Sequence, residues 1–263
     1  MRSARGIIHV HSDFSYDSRT PLAEIAAMAR RKGLAVVVQT EHSNEMTTAS
    51  HALYRAESAR LSADGLLLEP GVEYASADNA IHVLVLGIET FWEDLARFDL
   101  ARIDELLDRV RDGGGLSILA HPERVHAIDK LPPGVLHRFD GIEVWNGKTD
   151  RWAPSPRALG ALASFPSAGR PAFATAGLDL HSVQDFVPVG LEFEDRPKTS
   201  RQLLDALAQR RFKIFFGPVV WDASAAGTVA RSGAFASRWV LRRARFIKAR
   251  LAAVLASRSR TAR

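Results

Sequence analysis

Short apolar runs of strand length recur along this chain with helix-like stretches between them, and that alternation limits most strongly what it can fold into. The runs are IIHV (7–10), LAVVVQT (34–40), GLLLEPGVEY (65–74), IHVLVLGI (81–88), GLSILA (115–120), FDGIEVW (139–145), AFATAGLDL (172–180) and VPVGLEF (187–193). Between several of them lie TPLAEIAAMARRKG, with Pro21 placed to start a helix and Gly33 to stop it, SHALYRAESARLSADG, and DLARIDELLDRVRDGGG. Such alternation predicts a mainly parallel sheet with crossover helices, either closed into a barrel or left open and doubly wound. A chain of 263 residues suits one main α/β domain.

Cysteine is absent, so any metal must be held by nitrogen and oxygen, which directs attention to His, Asp and Glu. With 46% hydrophobic and 25% charged residues, disordered and fibrous classes are poor fits. The apolar run near the N-terminus is too short for a signal-peptide core, and no window reaches the ~18 apolar residues of a membrane span. The expected location is cytoplasmic. The net charge is +5, yet ten Arg and Lys and no acidic residue follow Asp222, leaving −5 for residues 1 to 222. The basic character belongs to the tail, not to a basic cleft in the body.

His9 and His11 are one residue apart on a predicted strand, so alternation sends both imidazoles to one side. The same spacing recurs at Asp179 and His181, and in an α/β barrel functional residues come from strand ends and the loops after them. His42, Glu73 and His121 also stand at strand ends, His82 lies just inside a strand, and Asp17 is in the first loop. A single histidine after a strand is more often structural than a ligand, but nine candidates in such places are more than one cation can use. Each divalent ion takes about four to six ligands and carboxylates can bridge, so two or three divalent ions (Mn, Zn or Fe) are expected. Multinuclear centres suit phosphate ester hydrolysis: one ion lowers the pKa of water from about 16 to roughly 7, while others neutralise the phosphoryl and leaving oxygens.

In order, the strings HVHSDFSYDS, TEH, GVE, IHVLVLG, AHPER and GLDLHS closely resemble the PHP (polymerase and histidinol phosphatase) superfamily, across about residues 7 to 190. The resemblance implies a distorted (β/α)7 barrel with a trinuclear centre, and a phosphoesterase in which a metal-bridging hydroxide attacks phosphorus. Carried over by position, His9, His11, Glu73 and Asp179 correspond to ligands of one ion. Glu73 then bridges to a second, held also by His82 and His121, and Asp17, His42 and His181 form the third set. His181 or Asp17 would assist proton transfer to the leaving group. Two departures stand out: Ile7 where members often have Asp, and TEH in place of the commoner TDH, which lengthens a carboxylate at Glu41 behind the ligands.

Arg19, Arg124 and Lys148 fall in mouth loops where they can clamp phosphate. Asn146 is assigned to the pocket lining, whereas Glu143 reads rather as a partner of a ligand or an interior carboxylate. Trp145 and Trp152 can stack a base, though core or rim packing fits them better. His51, His126 and His137 match no ligand position. Residues 1–220 are assigned to the catalytic domain and 221–263 to a linker, WDASAAGTVARSGA, and a basic helical extension with Val240, Ala244, Ile247, Leu251 and Val254 on one stripe. Three roles fit that tail: docking on the barrel, contact with nucleic acid, and peripheral contact with a membrane. The expected substrate is a phosphorylated small molecule or nucleotide. The competing functions are a 5′–3′ exonuclease on short RNA or DNA, a protein-tyrosine phosphatase, and a non-catalytic metal-binding module.

Overall fold

The structure is a computed structural model that describes residues 4–165 and 172–222. The linker beyond Asp222 and the basic tail helix lie outside the described residues. Eleven strands form one sheet: β1 (Ala4–Val10), β2 (Val36–His42), β3 (Leu67–Ser76), β4 (His82–Leu86), β5 (Arg97–Phe98), β6 (Leu116–Leu119), β7 (Gly141–Asn146), β8 (Phe173–Gly177), β9 (Val189–Phe193), β10 (Phe212–Phe216) and β11 (Val219–Trp221). Their order is β11-β10-β9-β1-β2-β3-β4-β6-β7-β8, with β5 beside β3.

Helices α1 (Leu22–Arg31) and α2 (Thr48–Leu61) make the crossovers β1–β2 and β2–β3, both parallel, as the alternating runs predict. Pro21 precedes α1 and Gly33, at φ 67°, follows it, while Thr47 and Ser50 cap α2 reciprocally. All seven residues of β2 are buried, as expected of a parallel strand covered on both faces. Helix α3 (Ile103–Asp112) turns Ile103, Leu106, Leu107 and Val110 inward and keeps its charges outside. Removing a side chain such as Leu106 would cost about 2–5 kcal/mol. Shorter helices α4 (Ala127–Lys130) and α5 (Pro156–Leu162) precede β7 and β8, and α6 (Ser200–Ala208) joins β9 to β10.

Strict strand–helix alternation stops between β3 and β4. These strands pair antiparallel through a turn in which Ser76 Oγ accepts from the amides of Ala80 and Ile81. The sheet is therefore mixed, with further antiparallel pairs at β4–β6, β1–β9, β9–β10 and β10–β11. It also curls: Leu178 N donates to Ile8 O (2.9 Å) and His11 N to Leu180 O (2.8 Å), so the chain leaving β8 lies beside β1. That curl gathers the ends of β1, β2, β3 and β8 at one mouth. One continuous hydrophobic cluster, from Ala4 to Ile214, fills the interior. Among the described residues no helix is long and apolar enough to cross a membrane.

Candidate metal centre

Glu73, fully buried near the end of β3, has five imidazoles around its carboxylate. Oε2 lies 3.2 Å from His9 Nε2, His11 Nε2 and His42 Nδ1 alike, and Oε1 lies 2.5 Å from His82 Nδ1 and 3.1 Å from His121 Nε2. Sheet register explains much of this. His42 pairs with Glu73 across β2–β3, and His82 pairs with Ala75, two residues along β3 on the face of Glu73. Asp179 Oδ1 stands 3.6 Å from His11 Nε2 and 3.9 Å from His9 Nε2. At the outer side, Asp17 Oδ2 lies 3.1 Å from His181 Nε2 and 3.4 Å from His42 Nε2.

Regular alternation is not what unites His9 with His11. Register with β2 jumps from Ile8–Val38 to Val10–Gln39, so His9 is the extra residue of a bulge, at φ 62°, and His11 lies past the end of β1. Asp179 (φ 51°) and His121 (φ 26°) are also left-handed. Such backbone costs on the order of 1–3 kcal/mol per residue and persists only where the surroundings enforce it.

Those surroundings are a layer of hydrogen bonds behind the imidazoles. Glu143 Oε1 lies 2.9 Å from His9 Nδ1, Glu143 Oε2 accepts from His121 N (2.7 Å), and Asn146 Nδ2 donates to the same oxygen (2.9 Å). Glycine is required at 177, where a methyl group would overlap Glu143 Oε1 and crowd His9 Cβ. On the other flank, Glu41 accepts from Ser12 N, Ser12 Oγ and Ser15 Oγ. Because Ser15 gives its one proton to Glu41 (2.6 Å), its oxygen can only accept from His42 N (2.9 Å) and His11 Nδ1 (3.3 Å). The longer side chain of TEH thus reaches the candidate ligands His11 and His42 through Ser15.

The hydrogen positions follow, and they test whether a cation fits. With Nδ1 of His11 donating outward to Ser15, its Nε2 lone pair faces the Glu73 carboxylate, acceptor against acceptor. His11 Nε2 and His42 Nδ1 are buried with no hydrogen-bond partner. Burial holds His11 near a pKa of about 3, hence neutral. Burial also opposes a charge on His9, but Glu143 and Glu73 outweigh it and raise that pKa well above the usual value. Three buried carboxylates, Glu73, Glu143 and Asp179, beside the unpaired nitrogens His11 Nε2 and His42 Nδ1 form a donor set that divalent cations would fit. Four ligand groups have donor atoms within 4.8 Å of one another: His9–His11–Glu73, His9–His121–Asp179, His42–Glu73–His82 and His11–His42–His181. They share members, so the candidate ligands form one continuous cluster.

Above the cluster opens a cleft of about 410 Å³. Asp17, Arg124 and Lys148 line it, with Lys148 Nζ 3.3 Å from Asp179 Oδ1. Arg19 is exposed outside that lining. Asn146 does not face the cleft either: it is fully buried, with its amide on Glu143 and its Oδ1 accepting from Lys148 N and Thr149 N. Tyr16, Asn79 and Thr149 line the cleft without having been singled out in the sequence. Asn79 Oδ1 lies 2.8 Å from His82 Nε2; its place in the turn, three residues before a candidate ligand, was the one available signal. His51 packs beside Phe91 and Tyr54, and His126 and His137 contact Arg157 and Ser164, all away from the cluster.

Among solved structures, a two-domain protein from Bacteroides vulgatus containing a predicted PHP-like metal-dependent phosphoesterase matches with a TM-score of 0.60 at 19% identity, over 83% of this chain and 66% of that one. The chain has a PHP-like fold. PsfC from Pseudomonas syringae matches with a TM-score of 0.56 at 16% identity, over 89% of this chain and 99% of its own. At these identities the likeness to PHP-like proteins is one of fold. No protein-family model and no curated protein matches the sequence.

Proposed function

We propose that this protein hydrolyses a phosphate ester, of a phosphorylated small molecule or nucleotide, at the Glu73-centred cluster, with residues 1–220 as the catalytic unit. The supporting observation is the five-histidine ring around one buried carboxylate, with buried ring nitrogens left without a hydrogen-bond partner at His11 and His42. His9, His11, His42, Glu73, His82, His121, Asp179, His181 and Asp17 would hold two or three divalent ions of the Mn, Zn or Fe type. When bound, such ions supply acidified water and neutralise phosphoryl charge.

The chain's own residues do the rest. Glu143 and Ser15 fix the ring orientation of His9 and His11, so that no rearrangement is needed when substrate arrives. Lys148, beside Asp179, and Arg124, beside His82, contact phosphoryl oxygens. His181, held by Asp17 at 3.1 Å and 17% exposed, is the group that can pass a proton to the departing alcohol. Water adds to phosphorus, the ester P–O bond breaks, the alcohol leaves with the proton from His181, and the proton released by the water restores His181.

Phosphate release from a panel of phosphomonoesters by protein loaded with Mn²⁺ tests this. Activity lost with chelator and with Glu73→Gln is expected. Protein that binds Mn²⁺ at the cluster yet releases nothing from monoesters or short oligonucleotides would reject the enzyme.

A further inference from the structure

Beside the metal cleft lies a second hollow, of about 350 Å³, that shares Lys148, Asp179 and His181 with it. The two are contiguous across those three side chains, yet their chemistry differs. The cleft holds the imidazoles and carboxylates. The neighbouring hollow adds the apolar side chains of Trp152, Phe186, Val187 and Leu180, with Arg151, Gln184 and Asp185 also in its lining.

Its wall is a built unit. Asn146 Oδ1 accepts from Lys148 N and Thr149 N, Asp150 Oδ2 accepts from Asn146 N, and Trp145 Nε1 donates to Arg151 O. Asn146 also holds Glu143, the partner of His9, so one side chain ties this wall to the metal ligands. Trp152 is 54% exposed and its ring meets Phe216 edge-on at 6.0 Å, whereas Trp145 is buried and stacks on the same ring. An exposed indole on a braced loop beside the cleft presents a flat apolar face to whatever enters the hollow.

Resting on the phosphoesterase reading above, we infer that this hollow is the leaving-group subsite and that it selects phosphate esters whose alcohol carries a planar aromatic ring, seated against Trp152. With phosphorus over the Glu73 cluster, the ester oxygen lies toward Lys148 and His181, and the alcohol continues past them into the hollow. A nucleoside and a phenol share this chemistry.

The test compares kcat/KM of Mn²⁺-loaded protein on a nucleoside 5′-monophosphate, phenyl phosphate and glycerol 2-phosphate. Wild type should prefer a ring-bearing ester, and the ratio between ring-bearing and glycerol esters should fall about tenfold in Trp152→Ala, the size of one stacking contact. Trp152→Phe should restore most of it. A preference for the nucleotide over phenyl phosphate would identify a nucleoside as the natural alcohol, and the reverse a phenol. Quenching of tryptophan fluorescence by the same ring-bearing ester, in chelator-treated protein, should occur in wild type and weaken in Trp152→Ala. An unchanged ratio in Trp152→Ala, or a wild-type preference for glycerol 2-phosphate, overturns the subsite. If no ester is hydrolysed at all, the phosphoesterase reading fails, and the fluorescence titration still decides whether the hollow binds rings.

Discussion

Glu69 and Glu73 stand four residues apart on β3, both buried, and the fold treats them in opposite ways. Burial drives the Glu69 carboxyl up to about 7; a hydrogen bond from Ser200 Oγ (2.7 Å) and the charge of Arg55 only partly offset it. Burial pushes Glu73 in the same direction, but His9, His82 and His42 overcome it and hold that carboxyl well below its usual range. Burial alone therefore makes a carboxyl neutral, and only a ring of nitrogens keeps one charged in the interior. The mouth of the curled sheet stores negative charge, whereas the opposite end of β3 expels it.

Removing the stored charge should have the largest effect. Glu73→Gln leaves five imidazoles without their shared carboxylate, and metal content by elemental analysis should fall to background with phosphate release down on the order of 10³-fold or more. Retention of full metal would contradict the central place given to Glu73. A smaller loss is expected behind the ligands. Glu143→Gln keeps a polar side chain but releases the hold on His9, and titration with Mn²⁺ should give a dissociation constant raised about 10–100-fold. Ser15→Ala breaks the link from Glu41 to His11 and His42 and should weaken Mn²⁺ binding by about tenfold.

At the other end of β3 the expected effect concerns stability and not metal. The folded pKa of Glu69, about 7, lies above its ordinary value of 4.5. Its stabilising contribution is therefore complete below about 4.5 and is lost as pH rises through about 7. Glu69→Gln stays neutral throughout, so denaturant unfolding at pH 8 should show the variant more stable by up to about 3 kcal/mol, with no difference at pH 4. A variant less stable at pH 8 would mean that Glu69 is charged and paired in the folded chain.

The strands that bear the candidate ligands were legible in the sequence because β2, β3 and β6 are apolar runs flanked by turn residues. Less legible was the direction of β4. Its run is as apolar as that of a parallel strand, and only the short Asp78–Asn79 turn marks a hairpin. The two-residue β5 and the terminal β10 and β11 carry too little pattern to stand out. At the site, the nine ligand candidates were visible as residue types at strand ends, but the bulge that turns His9 was not. A bulge is a mismatch between two strands, and a one-strand periodicity has no record of its partner. Asn146 shows the same limit: a polar residue at a strand end reads as pocket lining, and only the fold reveals that its amide nitrogen is turned to Glu143 and its oxygen to the amides of Lys148 and Thr149.

Anomalous X-ray scattering from crystals of the protein grown with Mn²⁺ tests the central claim most directly. The expected result is at least two peaks within coordination distance of the Glu73 carboxylate, each also touching imidazoles from among His9, His11, His42, His82 and His121. Crystals saturated with Mn²⁺ that show no peak at Glu73, or show peaks only elsewhere on the surface, would contradict it.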